Sequence, residues 1–140
     1  DIVFNWEQML DLHGDTAPYL QYTAVRLKNI VRKAEEAGTM RPHSGESLSA
    51  VDDELKAGLV KKVLDFNDVV ALCAETYYTS HLAKYLFELA KFGNQYYETY
   101  RILEDENKER QAGRLALVGA VAETITKGLN LLGIQVPEKI

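Results

Sequence analysis

Apolar residues recur at every third or fourth position over most of the 140-residue chain, which is the spacing of one face of an α-helix. The pattern predicts six helices, separated by glycine, proline or polar segments. Their approximate bounds are residues 6–12, 18–37, 49 or 52 to 64, 67–78, 80–100 and 112–132. The sequence therefore predicts an all-α fold, a bundle of about six helices, in a single domain covering residues 1–140.

The apolar run from Val69 to Ala74 contains β-branched residues that would also suit a strand. Its neighbours are helical and no second strand is predicted, so we expect a buried helix. Residues 38–49 lack apolar periodicity and predict a loop, and the charged residues 103–111 predict a solvated linker. Gly38 and Gly133 are expected to end the helices that precede them.

The helix predicted at 18–37 carries two different stripes. At about 3.6 residues per turn, one is apolar and predicts core packing: Leu20, Ala24, Leu27, Val31 and Ala34. The other combines aromatic rings with cations and an amide: Tyr19, Tyr22, Arg26, Asn29 and Lys33. Such a stripe suits an unpaired base and its phosphate. It also suits a half-buried helix whose tyrosines pack by their rings and keep their hydroxyls in water.

The composition narrows these choices. A formal net charge of -5 argues against a protein that coats nucleic acid nonspecifically, so any RNA contact has to be local. The single cysteine, Cys73, excludes an intramolecular disulfide and fits a reducing compartment. No apolar stretch approaches the roughly 18 residues that span a bilayer, and no signal peptide is present, which predicts a cytoplasmic protein. Because the chain begins with Asp1 and not with Met, we expect a piece of a longer protein.

Catalytic chemistry is missing from the sequence. It contains no glycine-rich phosphate loop, no GxSxG elbow and no CxxC pair. His13, His43 and His81 are far apart, and none has the carboxylate spacing of a bundle metal site except a loose His43–Glu46 pair. We therefore expect neither a metal site nor a self-sufficient enzyme.

Three segments, in order, resemble the C-terminal anticodon-binding domain (DALR type) of class I arginyl-tRNA synthetases. FNWEQMLDLHGDTAPYLQYTAVRL is similar to its start, HLAKYLFELAKFGNQYYETYRIL to its long helix, and GRLALVGAVAETITKGLNLLGIQVPEKI to its closing helix and tail. The resemblance covers essentially all of residues 1–140.

This resemblance implies a parent enzyme that joins arginine to its tRNA with ATP and magnesium. The catalytic domain would lie upstream of Asp1, since neither an HxGH-like nor a KMSK-like stretch occurs here. The implied partners are the tRNA(Arg) anticodon stem-loop and that upstream domain, with no cofactor in this fragment and no membrane.

The resemblance also implies which residues contact the anticodon loop. They are Gly14 and Asp15 in the loop before Pro18, Tyr19, Tyr22, Arg26, Tyr97 with its neighbour Tyr96, and Ile140. Ile140 stands where the family usually has Met, Ala17 where it has Gly, and Gly113 where it has Ala. Arg26 is equally suited to a phosphate contact and to a structural ion pair.

Two alternatives remain open from the sequence. One is the same helical domain on another class I synthetase or on a glycyl synthetase subunit. The other is a helical protein–protein interaction module, in which Tyr19, Tyr22, Tyr96 and Tyr97 would form an aromatic hot spot.

Overall fold

The computed structural model describes residues 16–38 and 45–140, and of residues 45 and 46 it describes the backbone only. Each of the five helices predicted within these ranges is present, and one additional short helix occurs. The helices are α1 (Thr16–Glu36), α2 (Gly45–Ser49), α3 (Lys56–Leu64), α4 (Phe66–Thr76), α5 (Ser80–Thr99) and α6 (Lys108–Leu131). The helix predicted at residues 6–12 lies outside the described residues.

The closing helix, α6, forms the centre of the bundle. It packs against α1, α2, α3 and α5, and α1 and α5 also pack against each other. Because α6 has neighbours on several sides, its buried residues are spread around much of its circumference. The core side chains of α6 include Leu115, Val118, Val121, Ala122, Ile125 and Leu129.

The helix predicted over the Val69–Ala74 run is confirmed as α4, but the prediction that it is buried is wrong. No residue of α4 is buried, and Leu72 is 41% exposed. The physical reason is position: α4 packs mainly against α5 and α3, at the edge of the bundle, and does not reach α6 closely. The helix ends at Tyr77, which has a left-handed backbone (φ 61°) and a side chain that is 92% exposed.

The segment 38–49, predicted as a loop, contains the helical turn α2. This turn lies against α6 at Gly113, where an added Cβ would overlap the backbone carbonyl oxygen of Ser47. Gly113 therefore allows two backbones to approach more closely than any other residue would. Gly38 and Gly133 follow their helices with positive φ values of 77° and 81°, as expected for helix stops.

The helix predicted to begin at Ser49 or Asp52 begins at Lys56. Asp53 supplies the capping carboxylate, since its Oδ1 accepts from the backbone N–H groups of Leu55 (3.1 Å) and Lys56 (2.8 Å). The other oxygen, Oδ2, accepts from the hydroxyl of Tyr96 (2.8 Å). Asp53 thus links the start of α3 to the middle of the core.

The prediction of a solvated linker at 103–111 holds for residues 106–109, which are exposed, but is wrong for Asp105 and Gln111. The side chain of Asp105 is only 2% exposed, and its oxygens accept from Nε and Nη2 of Arg110, both at 2.8 Å. Arg114, also buried, lies between Asp105 and Asp53, with nitrogen–oxygen distances of 3.4 Å to each. Asp105 and Arg114 can be internal because each has an oppositely charged partner, which a count of charged residues does not reveal.

The closing helix consequently starts earlier than the predicted residue 112. Asn107 is its N-cap, with its side-chain oxygen accepting from the backbone N–H of Arg110 at 3.1 Å. Gln111, predicted at the end of a loop, is buried in the first turn of α6 and donates to the carbonyl oxygens of Ile102 and Leu103.

Candidate nucleic-acid interface

A groove of about 750 Å³ runs between α1 and α5. Two contacts show that the helices run in the same direction here. Tyr19 lies beside Phe87, with 5.6 Å between ring centroids, and Arg26 lies over Tyr97, which is about two to three turns further along both helices. The side chains lining the groove are Tyr19, Tyr22, Arg26, Lys91, Asn94, Gln95, Glu98 and Thr99. Of these side chains, three come from α1 and five from α5.

Tyr22 is the most accessible aromatic ring of the groove, with 51% of its surface exposed. Tyr19 is half-buried, because its ring packs against Phe87, and the ammonium of Lys91 lies 5.8 Å from that same Phe87 ring. The exposed ring of Tyr22, the ring of Tyr19 packed on Phe87 and the ammonium of Lys91 together provide a stacking surface with one positive charge.

Arg26 is held on three sides. Its guanidinium lies 4.6 Å above the centre of the Tyr97 ring. Nη1 donates to Oδ1 of Asn94 at 3.1 Å and lies 3.6 Å from Oε1 of Glu98. The structure therefore gives Arg26 structural partners, and the ion pair with Glu98 is exposed and weak.

The tail after α6 lies next to α1. Nε2 of Gln21, the residue before Tyr22, donates to the backbone carbonyl of Gln135 at 2.7 Å. Ile140, at the end of this tail, is 70% exposed.

Four of the residues predicted as RNA contacts lie at the groove. Tyr19, Tyr22 and Arg26 line the groove, and Tyr97 lies directly beneath Arg26. Gly14 and Asp15 lie outside the described residues.

Tyr96 is the exception, and it has to be removed from the predicted set. Its side chain is completely buried, its ring packs at 4.9 Å from that of Tyr100, and its hydroxyl donates to Asp53. Burial, followed by the hydrogen bond to Asp53, raises the pKa of Tyr96. A base cannot stack on a ring that has no exposed face, and the four-tyrosine hot spot also loses one of its members.

The α5 wall of the groove was not predicted from the sequence. Lys91, Asn94, Gln95 and Glu98 recur at intervals of three and four residues, on the side of α5 opposite its apolar face. This polar stripe was visible in the sequence, but nothing in the sequence says that it lies opposite the stripe of α1. Only the parallel packing of α1 on α5 brings the two together.

Neither a metal site nor a membrane span is found in the described part of the chain. It contains no group of three or more His, Cys, Asp and Glu side chains placed to hold a metal ion. Its helices also include none with the length and hydropathy needed to cross a bilayer.

Comparison with known proteins identifies the family. A model of the DALR anticodon binding domain matches residues 20–140. The chain belongs to the DALR anticodon-binding domain family.

The relatives of this DALR domain are much longer proteins. An arginine–tRNA ligase of Bacteroides fragilis is 37% identical over 142 residues, and one of Halothermothrix orenii is 38% identical over 140. Both alignments cover the whole chain but only 23% and 24% of the respective enzymes. The DALR domain is homologous to the C-terminal region of arginyl-tRNA synthetases.

The fold agrees with this assignment. The DALR domain superimposes on the arginyl-tRNA synthetase of Thermus thermophilus with a TM-score of 0.75 and 33% identity, covering 98% of this chain and 23% of that one. The helical bundle is therefore shared along with the sequence.

Proposed function

We propose that this DALR domain binds the anticodon stem-loop of tRNA(Arg) through the groove between α1 and α5. The observation that carries the proposal is the arrangement of Tyr22, Tyr19 and Arg26 on one wall and Lys91 on the other. Unstacked bases bind aromatic faces, and the two cations suit the phosphates on either side.

The proposed role belongs to a larger enzyme. The domain would act as the C-terminal part of an arginine–tRNA ligase, attached to a catalytic domain that joins arginine to tRNA(Arg) with ATP and magnesium. Its contribution is to hold the anticodon end of the tRNA, while bonds are made elsewhere. A cytoplasmic location stays a prediction from the sequence.

The test is binding of the 140-residue chain to an RNA hairpin with the arginine anticodon loop, measured by fluorescence anisotropy. A second hairpin carries a changed central anticodon base. We expect weaker binding of the changed hairpin and a loss of about 1–3 kcal/mol on Tyr22→Ala, the range measured for one base stacked on one aromatic ring.

The matched control is Tyr78→Ala. Tyr78 is 65% exposed, similar to Tyr22, but lies in the turn before α5 and outside the groove lining. This variant should bind the hairpin like the unsubstituted chain. Equal affinity of the Tyr22→Ala and unsubstituted chains, with circular dichroism unchanged, would exclude the groove as the RNA site.

A further inference from the structure

Asn94 connects the two walls of the groove. From α5 its amide reaches three side chains of α1: Oδ1 accepts from Nη1 of Arg26 at 3.1 Å, and Nδ2 donates to Tyr19 Oη at 3.1 Å and Thr23 Oγ1 at 3.0 Å. Asn94 is itself partly buried and Thr23 is completely buried. All three contacts join residues more than 65 positions apart in the chain.

The chemistry of these partners fixes the direction of every hydrogen bond. A guanidinium has donors only, so the atom of Asn94 that faces Arg26 has to be the carbonyl oxygen. The amide nitrogen then faces the two hydroxyls, and its two protons supply one donor to each. Both hydroxyl oxygens are therefore acceptors toward Asn94.

This leaves Tyr19 with a defined polarity. Its hydroxyl accepts from Asn94 and keeps its own proton for a different partner. Since Tyr19 lines the groove, that proton is available to a group bound there. A ligand atom that meets this proton forms a hydrogen bond with it if the atom is an acceptor. A ligand atom that is itself a donor forms no such bond.

We propose that Asn94 is a specificity-determining positioning residue, which makes the Tyr19 hydroxyl a donor and so selects a base that presents an acceptor to it. The acceptor is a ring carbonyl oxygen or an unprotonated ring nitrogen. The proposal rests on the proposed RNA binding, because it names which edge of a bound base the groove accepts. Asn94 acts through Tyr19 and need not touch the base.

The residue type matters as much as the position. Aspartate has the same shape and would still accept from Arg26, but it has no proton to give. In an Asn94→Asp chain the Tyr19 hydroxyl would donate to the new carboxylate and turn its lone pairs toward the base. The variant therefore reverses the polarity of one hydroxyl while the bond to Arg26 stays in place.

The first test needs no RNA and reads the side-chain amide signals of Asn94 by ¹H–¹⁵N NMR. We expect Tyr19→Phe to shift the Asn94 Nδ2 proton that is bonded to the hydroxyl, while the exposed side-chain amide of Gln95 serves as the reference. If both Asn94 protons keep their shifts in Tyr19→Phe, the polarity is overturned.

The second test measures hairpin affinity for Asn94→Asp in the unsubstituted chain and in Tyr19→Phe. Loss of one hydrogen bond corresponds to about 2–10-fold in affinity. We expect Asn94→Asp to weaken hairpin binding by about 2–10-fold more in the chain with Tyr19 than in the chain with Phe at position 19. Only the tyrosine has a hydroxyl whose polarity can be reversed.

Gln95→Glu is the matched charge control, because it adds one negative charge at the neighbouring position of the same groove. Its loss in affinity should be equal with Tyr19 and with Phe at position 19. If Asn94→Asp also costs the same in both backgrounds, charge alone explains it and the inference is overturned. If the unsubstituted chain fails to bind the hairpin while the NMR shifts appear, the proposed function fails and the polarity of the network stands.

Discussion

Two adjacent tyrosines near the end of α5 have opposite surroundings. Tyr96 is enclosed by the core and bonded to Asp53, whereas Tyr97 faces α1 and supports the guanidinium of Arg26. A rotation of about 100° per residue separates them on the helix. At the scale of single residues, a side chain's role thus depends on which face of its helix meets a neighbour.

The surroundings of Asp105 likewise decide how this charged side chain behaves. The hydrogen bonds from Arg110 hold the pKa of this buried carboxyl below its ordinary value, and the nearby Arg114 acts in the same direction. An unfolded aspartate titrates at about pH 4, so acid protonates the unfolded chain first and favours it. The stabilisation by Asp105 is therefore complete above about pH 4 and is lost as the pH falls through the lower folded-state pKa.

We expect Asp105→Asn to lower the free energy of unfolding at neutral pH, because two arginines lose their shared carboxylate. The difference from the unsubstituted chain should shrink as the pH falls below about 4, because acid first protonates Asp105 in the unfolded chain. At still lower pH, acid also protonates Asp105 in the folded chain and the pair itself is lost. Urea unfolding followed by circular dichroism, repeated across this pH range, measures both. Glu104→Gln is the control, since Glu104 is exposed and pairs with Arg101, which is also exposed. A gap between Asp105→Asn and wild type that is independent of pH would contradict the assignment.

At the scale of elements, the close approach of α2 to α6 was not predicted from the sequence, which indicated a loop at residues 38–49. At Gly113 the carbonyl of Ser47 and the side chain of Val51 occupy the space of a Cβ. Backbone atoms cannot move aside as a flexible side chain can. A glycine at position 113 and this position of α2 therefore belong together.

Gly113→Ala should destabilise the fold by roughly 1–3 kcal/mol, the usual cost of overpacking, despite alanine's higher helix propensity. Gly119→Ala in the same helix is the matched control, because its Cβ would lie 3.5 Å from Val31, an ordinary contact. That control should be neutral or stabilising, by up to about 1 kcal/mol. Thermal unfolding of the two variants compares them directly, and equal stability would show that α2 yields without cost.

At the scale of the whole molecule, the electrostatic field does not favour RNA. The net charge is -5, and the groove contributes two cations, Arg26 and Lys91, against one anion, Glu98. Affinity for a polyanion must therefore come mainly from stacking and hydrogen bonds.

We expect a shallow salt dependence for hairpin binding. Two cations that each neutralise one phosphate of a single strand give a slope of about -1.4 in a plot of log affinity against log salt concentration. Lys91→Met should reduce that slope by about 0.7. Titrations at several potassium chloride concentrations measure it, and a slope that reports ten phosphates would place the RNA elsewhere on the protein.

Much of the architecture could be predicted from the sequence because helix formation is local. Periodicity predicted five of the six helices within the described residues, and Gly38 and Gly133 marked the ends of two of them. The family followed from ordered segments such as PYLQY, and the match over residues 20–140 bears it out. The α1 stripe of Tyr19, Tyr22 and Arg26 was also identified, since all three lie within two turns.

The tertiary structure alone decided what these elements face. Tyr96 is buried against Asp53, 43 positions earlier in the chain, and α4 is an edge helix because it packs on α5 and α3 and not closely on α6. Asp105 is internal although its partner Arg110 is only five residues away, because the end of α5 and the start of α6 enclose it. The pattern of one helix specifies its own faces but not which neighbour covers each. For the same reason the groove, with Asn94 between its walls, exists only where α1 and α5 pack side by side.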